Sequence, residues 1–144
     1  MNNDKMEAIL IATQRTSLSH ALPPTLNFNG ILIEFSKSLR NLGIIFDNSF
    51  SLHQHIMNTC RTAYMELRQI SSIQNFLLVD ATKTLMCSLV LSKLNYCNSL
   101  LSGSPQYLIQ IFQKVQNTAA RITLWAPRAE HTSPLLCSLH WQPV

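Results

Sequence analysis

The side chains best suited to chemistry are few and scattered. His53 and His55 stand two apart with Cys60 downstream, offering three nitrogen or sulfur donors at the start of a helical pattern. Metal sites of that kind ordinarily bring a second clustered pair, which this sequence lacks, so His55 is expected to pack at the helix entry instead. His20, His131 and His140 lie apart, and no GxSxG-type nucleophile motif accompanies them. Two-metal phosphoryl chemistry needs carboxylates held together. Asp4, Asp47 and Asp80 are isolated, and no Asp-Asp pair occurs. Cys60, Cys87, Cys97 and Cys137 are widely spaced, each inside an apolar run, with no CxxC pair. Buried free thiols in a reducing compartment are the expectation.

Binding chemistry is better represented than catalysis. Between residues 81 and 129 the charged residues are Lys83, Lys93, Lys114, Arg121 and Arg128, with no acid among them. The net charge is +4 and the pI is near 9.1. A surface of one sign suits a polyanionic partner. Arg61 and Arg68 stand one helical heptad apart on the flank of an apolar face. Tyr64, Tyr96, Tyr107, Trp125 and Trp141 have faces on which bases stack, but their helical spacing places them in the core. Three glycines leave little room for phosphate-cradling loops.

The elements that must position these groups change period near Ser51. At 144 residues, 47% hydrophobic and 12% charged, the chain has the size and composition of a packed domain. Residues 8–11 read as a buried strand. Leu26-Asn-Phe, Asn29-Gly30 and Ile31-Leu-Ile-Glu-Phe35 form a hairpin signal, because Asn-Gly supplies the positive φ angles of a type I′ turn. Leu42-Gly-Ile-Ile-Phe46 reads as a further strand, and residues 14–25, with Pro23-Pro24, as a loop.

After Ser51 the spacing is helical. Ile56, Cys60, Ala63, Leu67 and Ile70 share one face of a long helix. Asp80 is placed to cap a second helix that turns Ala81, Leu85, Leu89 and Val90 inward. Ser104 and Pro105 open a third, whose apolar stripe is Leu108, Ile111, Phe112, Val115, Ala119 and Ile122. Gln110, Gln113, Lys114, Gln116 and Asn117 fill its opposite face, and a last short helix covers 133–139. The expected fold is α+β: a small antiparallel β hairpin unit over 1–50, then a three- or four-helix bundle over 51–144. The apolar runs at 8–12 and 85–91 are too short for a signal core or for the ~20 residues of a span. An intracellular protein, cytoplasmic or nuclear and without a membrane partner, is expected.

Three separated motifs carry a family resemblance. Ser38-Leu-Arg-Asn-Leu-Gly-Ile-Ile-Phe-Asp47, Leu94-Asn-Tyr-Cys-Asn-Ser-Leu-Leu-Ser-Gly103 and Ser138-Leu-His-Trp-Gln-Pro-Val144 occur in that order. Together they resemble the segment that follows the catalytic centre in reverse transcriptases of LINE-type (non-LTR) retrotransposons, most closely the jockey-like elements. The resemblance spans nearly the whole chain. It implies the tail of a polymerase palm followed by a thumb, the bundle lying over the template–primer duplex. The opening Asn2-Asn-Asp-Lys-Met-Glu7 is similar to the family stretch Asn-x-x-Lys-Thr-Glu, with Met6 where Thr is usual. Lys5 then matches the palm lysine that protonates leaving pyrophosphate, and Arg40, Leu42 and Gly43 match the primer-grip strand and turn. Leu139-His-Trp-Gln-Pro143 resembles Leu-His-Trp-Leu-Pro, with Gln142 in place of Leu.

The implied role is contact with an RNA–DNA duplex through phosphates, using Arg40, Arg61, Arg68, Lys93, Lys114 and Arg121. Family enzymes work with magnesium held partly by Tyr-x-Asp-Asp, which this sequence does not contain. Polymerase activity and a cofactor are therefore not expected of this chain alone. The alternatives are an inactive structural remnant, or a protein-interaction module that self-associates through the surface that would face the palm.

Overall fold

Side chains that alternate face by face favour sheet, and a 3.6-residue period favours helix; the chain uses the first and then the second. A computed structural model describes residues 6–11, 25–96, 101 and 103–144. Lys5, His20, Cys97 and the expected loop at 14–25, Thr25 apart, lie outside the described residues. The fold is α+β, with small sheets followed by a helical bundle. It divides into two compact units, Met1–His55 and Ile56–Val144. Among the described residues no helix is long and apolar enough to cross a membrane.

In the first unit, β2 (Thr25–Phe28) and β3 (Ile31–Ser36) pair antiparallel, with Leu26 opposite Ile33 and Phe28 opposite Ile31. The turn is Asn29-Gly30, with φ of 51° and 83°. The Gly30 N–H donates to Asn27 Oδ1 at 3.0 Å, closing it further. The expected hairpin is therefore present. The buried strand expected at 8–11 is not: β1 is only Ala8–Ile9, half-buried, and Ile11 is exposed. It runs parallel to β3 at the edge of a sheet ordered β1-β3-β2, so it has one neighbouring strand.

A second hairpin replaces the strand expected at 42–46. β4 (Ser38–Asn41) pairs with β5 (Ile44–Asp47), and Leu42-Gly43 is their turn, with φ of 49° and 83°. The second turn has leucine where the first has asparagine, and leucine by itself favours strand over a positive φ. A leucine with positive φ costs roughly 1–2 kcal/mol because Cβ crowds the following carbonyl. Leu42 is 80% exposed, so burial does not repay that cost. Leu42→Asn is expected to stabilise the unit by about 1 kcal/mol in urea titration; a lower midpoint would mean the leucine is needed for the fold.

Asp47 ends β5 as the hub of a tight turn. Its carboxylate accepts from the backbone and hydroxyl of Ser49, at 3.2 and 2.9 Å, and from the backbone and hydroxyl of Ser51, the backbone at 2.8 Å. Burial pushes the carboxyl up, but the donors from Ser51 and Ser49 together outweigh it and leave it below its usual range. The turn is thus strongest above the unfolded carboxylate pKa and weakens as pH falls through the folded value.

The second unit is built on α1 (His53–Ile73), whose first turn still belongs to the β unit. Ile56, Cys60, Ala63, Leu67 and Ile70 are its buried face, as their spacing requires. A 3₁₀ turn, Gln74–Phe76, follows. The Gln74 side chain is buried there and donates to the carbonyl of Ile122, joining the end of α1 to the next long helix.

The segment from 79 to 95 differs from expectation in phase. α2 (Val79–Leu85) runs through a π-helical stretch, Met86–Leu91, into α3 (Ser92–Asn95). Its buried residues are Thr82, Met86, Val90, Leu91 and Leu94, whereas Ala81 and Leu89 are exposed and Leu85 is half-buried. Asp80 lies in the first turn, and Leu78 occupies the cap without a side-chain bond. Steps of four residues drift about 40° each on a regular helix. The wider π turn absorbs that drift and keeps 82, 86, 90 and 94 on one side. Thr82 is tolerated inside because its hydroxyl donates to the Leu78 carbonyl at 3.1 Å.

α4 (Gln106–Leu124) and α5 (Thr132–Leu139) complete the bundle. Pro105 rather than Ser104 is the cap of α4. Leu108, Phe112, Val115 and Ala119 are buried as expected, while Ile111 and Ile122 are half-buried. Gln116, assigned to the polar face, is buried instead. Both helices end in a Schellman arrangement, with Trp125 and His140 at the left-handed position where glycine is usual.

Candidate nucleic-acid interface

Net charge divides unequally between the two units. Seven of the eleven lysines and arginines, but three of the seven acids, lie between Ile56 and Val144, so the whole +4 excess belongs to the helical unit. Two of those cations have partners within the unit. Lys93 is ion-paired with Glu66, whose other oxygen is buried without a partner among the described residues. Arg121 is half-buried and donates to the Glu130 carbonyl at 3.2 Å. Both were expected to face phosphates; each has a partner within the helical unit, and the Lys93 side chain keeps 38% of its surface exposed.

Arg61, Arg68 and Lys114 are exposed. On α1 the first two belong to a longer stripe. Met57, Arg61, Tyr64 and Arg68 repeat the spacing of the buried face shifted by one residue, and all four are exposed. The two arginines are roughly 10.5 Å apart along the helix axis, with a phenol ring between them. Glu66, the acid on this helix, points elsewhere, toward Lys93. Tyr64 at 42% exposure is therefore not core, and neither are the exposed Tyr96, Tyr107 and Trp125. Of the five aromatics expected inside, Trp141 alone is buried. The shifted repeat is legible in the sequence; that Tyr64 lies on its exposed side and not in the core was decided by packing.

In the β unit, Arg40 is exposed on β4, two residues before the Leu42-Gly43 tip. His55 is half-buried; burial first, and then the Arg40 guanidinium, hold its imidazole below its usual range. It is thus neutral at pH 7, and its contribution to stability is lost as pH falls through the folded value. The Arg40–His55 neighbourhood was not foreseen, since the two are fifteen positions apart with a turn between them.

The sulfur and imidazole groups do not gather. Among the described residues no group of three or more His, Cys, Asp or Glu is placed to hold a metal ion. Cys60 faces the core, and burial pushes its thiol up to about 11. Cys87 is half-buried and Cys137 exposed, so the expectation of uniformly buried thiols is corrected. Among the described cysteines, iodoacetamide is expected under native conditions to modify Cys137 first and to leave Cys60 untouched until the bundle unfolds. Site-resolved mass spectrometry checks this; equal rates at Cys60 and Cys137 would contradict the packing of α1. No family model, curated protein or solved structure matches this chain.

Proposed function

We propose that this chain is the post-catalytic segment of a LINE-type RNA-directed DNA polymerase, and that its capability is non-catalytic binding of an RNA–DNA duplex. The observation that carries the reading is the exposed stripe Met57-Arg61-Tyr64-Arg68 on a helical unit that holds the chain's entire positive excess. Guanidinium groups bind phosphate oxygens in a fork and release condensed counterions on doing so. A ring between them packs against a sugar or an exposed base. The strained, solvent-facing Leu42-Gly43 tip beside Arg40 supports the same reading, because it sits where the resemblance puts a primer grip. Catalysis is not part of the proposal. The aspartates stand singly in the sequence, and Asp47 is committed to its turn. Such a protein would work in the cytoplasm or nucleus.

Fluorescence anisotropy with a labelled RNA–DNA hybrid across a salt series tests it. Micromolar binding at low salt, with log affinity falling linearly in log salt, is the expected result. A folded monomer that does not bind at 50 mM salt would overturn the proposal. A second reading, protein interaction, is favoured by Phe76 and Leu78, which are almost wholly exposed at the corner between α1 and α2. A defined oligomer in light scattering that disappears with Phe76→Ser would support it.

A further inference from the structure

The exposed stripe of α1 continues one step past Arg68. The spacing that joins Met57, Arg61, Tyr64 and Arg68 reaches Ser71 with a further step of three, and Ser71 is exposed as well. It stands in the last turn of the helix, beside the buried Ile70. Its hydroxyl has no hydrogen-bond partner among the described residues. Other helical hydroxyls are engaged: those of Thr62, Ser72, Thr82, Thr84, Ser88 and Ser92 each donate to a carbonyl three or four residues back. Ser72, next in sequence and also exposed, is thereby set apart from Ser71, its hydroxyl donating to the Gln69 carbonyl at 2.7 Å.

Arg68 gives the free hydroxyl its chemical setting. It lies three residues before Ser71, on the same face and roughly 4.5 Å back along the axis. No other serine or threonine of the sequence has lysine or arginine at that position. An arginine three residues before the acceptor is a charge pattern by which one large class of protein kinases selects its substrates. No acid lies on the stripe, since Glu66 is turned toward Lys93 and Asp80 belongs to the first turn of α2. A phosphoserine brings a charge near −2 and three acceptor oxygens, which suit a guanidinium one turn away. The C-terminal end of a helix opposes negative charge, so Arg68 is the group left to hold it. The terminal turn is also where a helix opens most readily to an enzyme.

We propose that Ser71 is a phosphorylation site for an arginine-directed protein kinase, and that Arg68 then holds the phosphate. The Ser71 Oγ attacks the γ-phosphorus of ATP. The new O–P bond forms as the bond to the β–γ bridging oxygen breaks, ADP leaves, and the hydroxyl proton passes to the base of the kinase. The consequence for binding rests on the duplex reading of the stripe. There the phosphate withdraws Arg68 and repels the phosphates of the nucleic acid, so modification turns the interface off.

Folded protein incubated with ATP, magnesium and a calmodulin-dependent protein kinase, which reads arginine at this spacing, is expected to gain one phosphate. Site-resolved mass spectrometry should place it at Ser71, and Ser71→Ala should gain none. No modification of the folded chain, or modification at Ser72 instead, overturns the site. For the contact with Arg68, phosphoserine is introduced at position 71 during translation and its ³¹P resonance is titrated with pH. Phosphoserine changes charge near about pH 6, and a neighbouring guanidinium favours the dianion. The midpoint should therefore lie lower than in the same protein carrying Arg68→Gln; equal midpoints overturn the contact. On the labelled RNA–DNA hybrid the phosphorylated chain should bind at least about fivefold more weakly at 50 mM salt. Unchanged affinity, where Arg68→Glu weakens it, overturns the switch. A parent chain that binds no hybrid removes the duplex reading alone, because the first two measurements contain no nucleic acid.

Discussion

Replacing Arg61 and Arg68 together by glutamate is expected to weaken RNA–DNA hybrid binding by at least about tenfold at 50 mM salt, and to reduce the salt slope by about two. Each guanidinium that neutralises one phosphate releases nearly one counterion, so removing two contacts flattens the plot by a countable amount. Charge reversal adds repulsion from the same phosphates. Both residues are exposed, each one position round the helix from a buried residue of α1, so helicity and melting should move little. The control is Lys93→Gln. Lys93 is engaged with Glu66, and its replacement should leave the salt slope unchanged while costing stability through the stranded carboxylate. If the double variant binds with the parent affinity and slope, the stripe is not the interface, whatever else the protein contacts.

Phe112→Ala should cost about 3–5 kcal/mol, the largest effect of any single truncation considered for this chain. Phe112 is 2% exposed at the middle of α4, and Leu108, Val115 and Ala119 beside it on the same face are fully buried. Truncation removes the transfer free energy of a benzyl group and leaves a hole that rigid helices fill only in part. Native domains are stable by about 5–15 kcal/mol in total, so the variant should be close to unfolding at 37 °C. Urea unfolding followed by far-UV circular dichroism measures it. A cost below about 1.5 kcal/mol would show that α4 is not the centre of the bundle. Tyr64→Ala is the useful contrast, since an exposed ring should cost the fold little and be felt in nucleic-acid binding alone.

These two experiments separate the parts of the chain that were legible in advance from those that were not. The buried face of α1 could be read directly, because five apolar residues at four-three-four-three spacing admit one inward side. The Asn29-Gly30 hairpin was equally legible, since that dipeptide prefers a turn with two positive φ angles. Its twin at Leu42-Gly43 was hidden. The leucine there adopts a conformation that its side chain opposes, and such strain is visible only once the neighbouring strands are paired.

Availability of the charged groups was decided by packing. Arg61 and Lys93 are alike as cations in the sequence, yet one is free on a helix surface and the other is held by Glu66, twenty-seven positions away. Gln116 read as polar surface because a single amide resembles solvent-facing residues; a tail returning from Trp141 to Val144 supplied the partners that let it be buried. The sequence by itself determined the class of fold, the places where sheet gives way to helix and the side of α1 that faces inward. These follow from local period and turn chemistry. The tertiary structure alone decided the phase of the 79–95 segment, which cations and rings reach solvent, and the burial of Gln116 against the C-terminal tail. Those depend on contacts between residues far apart in the chain, which no local pattern records.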